Sequence, residues 1–250
     1  MNYPRITVIG AGLAGSEAAW QIAEQGLDVD LFEMRPKRPT PAHQTDQCAE
    51  LVCSNSFGSD GAASAPRILK DELQTLGAFV LKQARQNAVP AGNSLAVDRV
   101  AFSQSITQIL SHHPHVRLHR EELSAIPKEG ITVIATGPLT SDALARDLAS
   151  RVGQGSLYFY DAISPIVSTE SLDLEKIFCA NRYGKGESQD FLNIPLDQSQ
   201  YETLVDDLLT AEVVLPHDFE EERYFEGCMP IEAIAARGRK TLAFGPMRPV

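Results

Sequence analysis

At 250 residues, 43% hydrophobic and 22% charged, the chain has the composition of a globular protein with one large core or two modest ones, and this excludes disorder as its default state. A formal net charge of −11 excludes a generic nucleic-acid binder, because phosphate neutralisation needs a basic surface, so any RNA contact must come from a local patch. No apolar run reaches the roughly 18 to 20 residues that cross a bilayer, the N-terminus lacks a signal-peptide layout, and the irregular spacing of Cys48, Cys53, Cys179 and Cys228 suits neither a disulfide framework nor a zinc site; a cytoplasmic protein with reduced thiols is expected.

Residues 5 to 35 read as a βαβ unit. Ile6-Thr7-Val8-Ile9 is a β-branched strand, and Ala14, Ala18, Ala19, Ile22 and Ala23 then recur at helical spacing. Gly26 closes the helix, and Leu27 to Glu33 forms the second strand. A proline-rich loop covers Pro36 to Asp46. Pro66 to Ala84 reads as one helix with Leu69, Leu73, Leu76 and Phe79 on one side. Leu95 to Val100 is a short strand, Phe102 to Leu110 a helix, Val116 to His119 a strand, and Ile131 to Ala135 a strand of the fully buried kind. A helix follows over Asp142 to Arg151. The texture changes at "LYFYDAISPIV", which places a domain boundary near residue 165 and divides the chain into 1–165 and 166–250. Tyr201 to Ala211 is a helix and Thr241 to Phe244 a strand. Repeats and low-complexity tracts are absent.

The turn of the βαβ unit carries the chemistry. "GAGLAG" sets Gly10, Gly12 and Gly15 in a G-x-G-x-x-G arrangement between a strand and a helix. The first glycine permits the tight turn, the second lets backbone approach a pyrophosphate, and the third allows close helix–strand packing. Glu33 ends the second strand, where a carboxylate accepts from ribose hydroxyls. An acidic ribose ligand disfavours a 2′-phosphate, so FAD or NAD is expected rather than NADP. "TVIATGP", residues 132 to 138, is a second buried strand ending in Ala-Thr-Gly, similar to the one that passes near FAD in two-dinucleotide-domain flavoproteins; the alternative is an ordinary strand-to-turn glycine.

Longer motifs occur in order: "LFEMRP" (31–36), "AELVCSNS" (49–56), "VPAG" and "LAVDR" (89–99), "ATGPLTS" (135–141), "FYDAISPIV" (159–167), "FEGCMPIE" (225–232), "RG" (237–238) and "FGPMRPV" (244–250). Together they resemble the folate- and FAD-dependent tRNA (uracil-5-)-methyltransferase family, a relative of the GidA-type tRNA-modifying flavoproteins, over nearly the whole chain. The resemblance implies an α/β fold: a Rossmann-type FAD-binding domain of the GidA and glutathione-reductase kind, followed by the beginning of a second, α+β insertion domain. It implies transfer of a methylene group from 5,10-methylenetetrahydrofolate, by way of reduced FAD, to carbon 5 of a uracil in the tRNA T-loop, with NADH or NADPH completing the methyl group. The implied cofactor contacts are Gly10, Ala11, Gly12, Leu13, Ala14, Gly15, Glu33, Met34, Arg35, Ser54, Asn55, Thr136 and Gly137, and no metal is implied.

The chemistry explains why a thiol is wanted. Carbon 5 of uracil is a poor nucleophile until something adds to carbon 6, and a thiolate suits that addition. The proton on carbon 5 must then leave to a base. By family likeness Cys228 is the covalent nucleophile and Cys53 the assisting thiol, with Ser54, Asn55 and Ser56 to orient Cys53 or to meet the flavin. The alternative is that each cysteine is a small buried hydrophobe.

Several features depart from the family or compete with it. Cys48 and Cys53 form a C-x4-C pair like that of pyridine nucleotide–disulfide oxidoreductases, the runner-up reading, but the glycines that surround such a pair are absent, and Cys48 is expected to be packing. Gly58 stands where the family usually has a basic residue. The histidines of "SHHPHVRLH" lack a fourth ligand for a metal. Cys179 is expected in the core. Arg182, Lys185, Arg237, Arg239, Lys240 and Arg248 are the basic residues available to tRNA phosphates, with a solvated surface the alternative. The family's chains run longer, so an inactive partial flavin-binding module is a competing expectation, as is a ribosomal-RNA uracil methyltransferase of the same chemistry. Oligomeric state is not legible.

Overall fold

A computed structural model of the chain describes residues 4–152, 167–181, 189–213, 229–245 and 247. It divides into two compact units, Met1–Val89 with Ser94–Phe159, and Pro90–Asn93 with Tyr160–Val250. In the first unit the elements are β1 (Ile6–Ile9), α1 (Leu13–Glu24), β2 (Val29–Phe32), β3 (Ser56–Ser59), α2 (Ala65–Thr75), α3 (Phe79–Gln86), β4 (Ala88–Val89), β5 (Ser94–Val97), α4 (Arg99–His112), β6 (Val116–His119), β7 (Thr132–Ile134) and α5 (Asp142–Val152). Among the described residues no helix is long and apolar enough to cross a membrane.

The main sheet is four-stranded and parallel, in the order β6-β2-β1-β7. Numbered by chain order within the sheet this is 3-2-1-4, the first half of the doubly wound dinucleotide-binding arrangement. The strand order reverses between β1 and β7, so the crevice beyond their carboxyl ends is where such a sheet takes a ligand. A smaller antiparallel sheet, β3-β5-β4, lies in the same unit.

Small residues set the spacing of helix and sheet. Ala19 and Ala23 of α1 are buried with Val8, Val29 and Leu31 of the strands, and Phe79, Phe102, Ile106 and Leu110 complete the core from α3 and α4. Trp20 stacks on Phe79 with ring centroids 4.4 Å apart. Asp98 caps α4 by accepting from Val100 N and Ala101 N, which ends the expected Leu95 to Val100 strand at Val97 and starts the helix three residues before Phe102.

The expected helix over Pro66 to Ala84 is two helices. Gly77, with φ at +76°, follows Leu76; Ala78 N donates to Leu73 O and Gly77 N to Gln74 O, a Schellman closure that turns the chain into α3. Leu69, Leu73 and Leu76 are therefore exposed while Phe79 is in the core. The strand over Ile131 to Ala135 is shorter and only half-buried, because β7 pairs with β1 on one side and Ile131 is 60% exposed.

In the second unit, β8 (Phe178–Cys179) pairs antiparallel with β9 (Leu192–Asn193), and α6 (Gln198–Thr210), α7 (Ile231–Ala236) and α8 (Thr241–Phe244) bury Val205, Ala235 and Leu242. A capping box of Asp197 and Gln200 starts α6 three residues before Tyr201. Thr241 to Phe244 is helical, not a strand: Phe244 N donates to Lys240 O, and a short apolar run cannot be told from a buried helix by periodicity alone. Cys179, expected in the core, is exposed in β8.

Candidate functional site

The glycine turn closes on itself and on the end of β7. Gly10 has φ of +94°, and a Cβ there would come within 2.7 Å of Ala135 O and 2.8 Å of Thr136 Cα. A Cβ on Gly15 would lie 1.8 Å from Gly10 O, so the third glycine is required for α1 to sit against the turn. A Cβ on Gly12 would meet nothing within 4 Å. The middle glycine thus borders open space at the N-terminus of α1, between Ala11, which is fully buried, and the exposed Leu13. Ala14 also faces outward, into the groove described below.

Thr136 and Gly137 stand beside this turn. The Thr136 hydroxyl meets that of Thr140 at 2.5 Å, Thr140 also donates to Gly137 O, and Gly137 takes φ of +62°. The Ala-Thr-Gly segment and the glycine turn, separate in sequence, are one surface.

Glu33 follows β2 and is buried. Its Oε2 accepts from Ala11 N at 3.1 Å, and its Oε1 from Arg35 N at 3.1 Å and Arg35 Nε at 2.9 Å. Burial by itself would raise the carboxyl's pKa; the Arg35 hydrogen bond and charge, with the N–H groups of Arg35 and Ala11, outweigh it and hold the group below its ordinary value. Met34 lies between the two partners.

Arg35, expected to contact a cofactor, has its guanidinium committed to the protein. Besides Glu33 it donates to Glu50 Oε2 at 2.8 Å, Thr45 O at 3.0 Å and Gln47 O at 3.1 Å. Glu50 also accepts from Gln44 N, Thr45 N and the Thr45 hydroxyl. Side-chain exposures of 7% for Glu33, 4% for Arg35 and 8% for Glu50 make this a buried three-residue ion pair, which is strongly unfavourable to break from one side. The loop it organises returns to the glycine turn: Ala49, with φ of +53°, donates from N to Ala11 O at 2.8 Å.

Glu50 is the residue that sequence reasoning missed. It stands in the motif "AELVCSNS", but a carboxylate whose partner lies 15 residues upstream leaves no periodic or spacing signal.

Cys53 comes three residues after Glu50 and is exposed. Beyond it Asn55 is pinned to β5: its Nδ2 donates to Val97 O at 3.0 Å and its O accepts from Val97 N at 2.9 Å. Ser54 accepts from Ser56 N and Ser56 from Gly58 N, so these hydroxyls shape the start of β3. Gly58 adopts φ of +77°. Cys48 packs in the core as expected; its N donates to the Thr107 hydroxyl, and burial pushes its thiol pKa up. A buried protonated thiol is a poor member of a redox pair.

Cys228 lies outside the described residues, as do Arg182, Lys185 and Arg248. Arg239 pairs with Asp206, and Lys240 precedes α8. The histidines have partners of their own: His115 sits 2.9 Å from Asp28, His119 2.8 Å from Asp30 and His113 3.3 Å from Glu24. On the flank of the same unit a groove of about 720 Å³ runs between α1, α2 and α3, walled by Leu13, Phe57, Leu69, Leu73 and Leu76, with Lys70 at its side.

The family model for glucose inhibited division protein A matches residues 5–249. A protein of Exiguobacterium sp. named methylenetetrahydrofolate–tRNA-(uracil-5-)-methyltransferase TrmFO is 53% identical over 250 residues, covering 100% of this chain and 57% of that one. One of the same name from Desulfitobacterium hafniense is 53% identical over 245 residues, covering 98% of this chain and 56% of its own. The chain therefore spans about half the length of the curated relatives it matches. The solved structure of Aquifex aeolicus GidA is 18% identical, covers 55% of this chain and 25% of its own, and superposes with a TM-score of 0.42.

Proposed function

Since the chain belongs to the glucose inhibited division protein A family, we propose that it serves the reaction for which its relatives are named, methylation of carbon 5 of a tRNA uracil at the expense of methylenetetrahydrofolate. The observation that carries this reading is 53% identity held across all 250 residues to a protein so named. FAD is the cofactor, NADH or NADPH the reductant, a T-loop uridine the target and the cytoplasm the compartment. Residues 1–165 are the FAD-binding domain and 166–250 belong to the insertion domain.

The geometry fits a dinucleotide. Space over Gly12, where a Cβ would meet nothing, admits a pyrophosphate to the backbone from Gly10 to Gly15, through Ala11, Leu13 and Ala14. Glu33 holds the ribose, with Met34 beside it and Arg35 behind. Thr136 and Gly137, packed against the turn, face the flavin end with Ser54 and Asn55. When bound, FAD supplies the carrier between folate and RNA.

The protein's own part is the activation of uracil. The Cys228 thiolate would add to carbon 6, which places the electron pair on carbon 5; carbon 5 would bond to the methylene; Cys53 would accept the carbon-5 proton as the bond between methylene and carrier breaks and the carrier leaves; and hydride from the reductant, adding to the exocyclic methylene, would complete the methyl group, restore the ring double bond and expel the Cys228 thiolate. The exposure of Cys53 suits a thiol that must reach a base. The disulfide oxidoreductase reading is disfavoured by the burial of Cys48.

The test is incubation of yellow, FAD-bound protein with tRNA carrying 5-fluorouracil, followed by mass spectrometry. The expected result is a protein–RNA adduct on Cys228 that Cys228→Ser abolishes. Absence of an adduct, together with disulfide reduction through Cys48 and Cys53, overturns the reading in favour of an oxidoreductase.

A further inference from the structure

Glu33 is short of acceptor capacity for the ligand it is expected to hold. A carboxylate offers about four acceptor positions. Three are taken, two on Oε1 by Arg35 N and Nε and one on Oε2 by Ala11 N. A ribose diol that donates both hydroxyls needs two. Of the three donors already present, two are main-chain N–H groups fixed by the end of β2 and by the glycine turn. The third, Arg35 Nε, sits at the end of a side chain and is the donor that gives way.

Arg35 is also the residue that holds the next loop. Its remaining bonds go to Glu50, Thr45 O and Gln47 O, and Glu50 gathers Gln44 N, Thr45 N and the Thr45 hydroxyl. Beyond this loop Leu51 is buried in the core, and Val52 to Ser54 run from it to the Asn55–Val97 pair. Cys53 is in that span.

We infer that Arg35 and Glu50 are positioning residues that link occupation of the ribose site by an adenosine diphosphate moiety to the setting of the Cys53 segment. The inference rests on the dinucleotide reading of the preceding section. A diol on Glu33 displaces Arg35 Nε, and because the same guanidinium holds Glu50, Thr45 O and Gln47 O, its shift is carried to the loop from which the Cys53 segment departs.

The probe is ADP, which carries the adenine, ribose and pyrophosphate of the dinucleotide but no isoalloxazine ring to cover the thiol. ADP binding to the purified protein is followed by calorimetry, and alkylation of Cys53 by iodoacetamide is followed separately by peptide mass spectrometry. Saturating ADP is expected to change the rate of Cys53 alkylation about fivefold or more, the scale of ordinary coupling between sites. Glu50→Gln keeps the side-chain shape and is expected to bind ADP while losing the effect on rate.

A wild-type protein that binds ADP with no change in Cys53 alkylation overturns the inference. So does Glu50→Gln if it binds ADP more weakly yet shows the full rate effect at saturation, which is what a merely structural role gives. Absence of ADP binding in calorimetry is a failure of the dinucleotide reading itself, and the inference falls with it.

Discussion

Around the glycine turn, polar groups answer one another. Ala11 N meets Glu33, Ala11 O meets Ala49 N, and Arg35 joins Glu33 to Glu50 and two carbonyls. On the flank formed by α2 the opposite holds: Ile68, Leu69 and Leu76 are 55%, 56% and 77% exposed, and the groove beside them has apolar walls. The first region is one where a single deletion leaves charges stranded. The second is one where a deletion removes mainly exposed surface. A hydrogen-bonded polar web and an apolar face left exposed by the described residues thus sit in the same unit, and stability should be concentrated in the former.

Four substitutions and one titration test that contrast. Arg35→Ala strands the Glu33 and Glu50 carboxylates and is expected to cost about 3–5 kcal/mol, read as a fall in the denaturant midpoint of the unit that contains it. Gly15→Ala forces a Cβ into Gly10 O, and overpacking against rigid backbone should cost about 1–3 kcal/mol or more with loss of FAD. Gly12→Ala, in contrast, should leave the midpoint unchanged while FAD retention in gel filtration falls, because only the ligand space is filled. If both glycine variants fold and bind FAD alike, the turn is not a pyrophosphate cradle.

The acid limb should report the same region. The Glu33 carboxyl has a folded-state pKa below the unfolded value of about 4.3, so its contribution is complete above that pH and is lost as pH falls through the folded value. Melting temperature should therefore fall more steeply between about pH 5 and pH 3 in the wild type than in Glu33→Gln. Leu76→Ser gives the smallest effect, within about 0.5 kcal/mol, while lowering the fluorescence of a bound hydrophobic dye. A large loss there would mean that the α2 face is packed in solution.

Much of this contrast was legible in residues 5 to 35. The β-branched strand, the alanine-faced helix and Gly26 predicted elements that the structure reproduces within two residues, because each is set by local periodicity and capping. The break at Gly77 was missed although a glycine after Leu76 is a C-terminal signal, and the leucines on either side gave a helical pattern that ran across it. β3 left no trace, since "SFGS" alternates nothing apolar and is a strand only because β5 pairs with it. At the site, Glu33 was found from its distance to the glycine turn, but its partnership with Arg35 and Glu50 belongs to a loop whose closure no local pattern encodes. The role of Cys228 lies outside the described residues and rests on motif likeness.

Trp20 is the chain's single tryptophan, and it stacks on Phe79 with the His113 ring 5.4 Å away edge-on. Intrinsic fluorescence excited at the indole band is thus an optical label confined to the α1–α3 seam. A denaturation curve read by that emission follows the first unit only, while far-ultraviolet dichroism follows both, so any gap between the two curves measures directly whether the units melt as one.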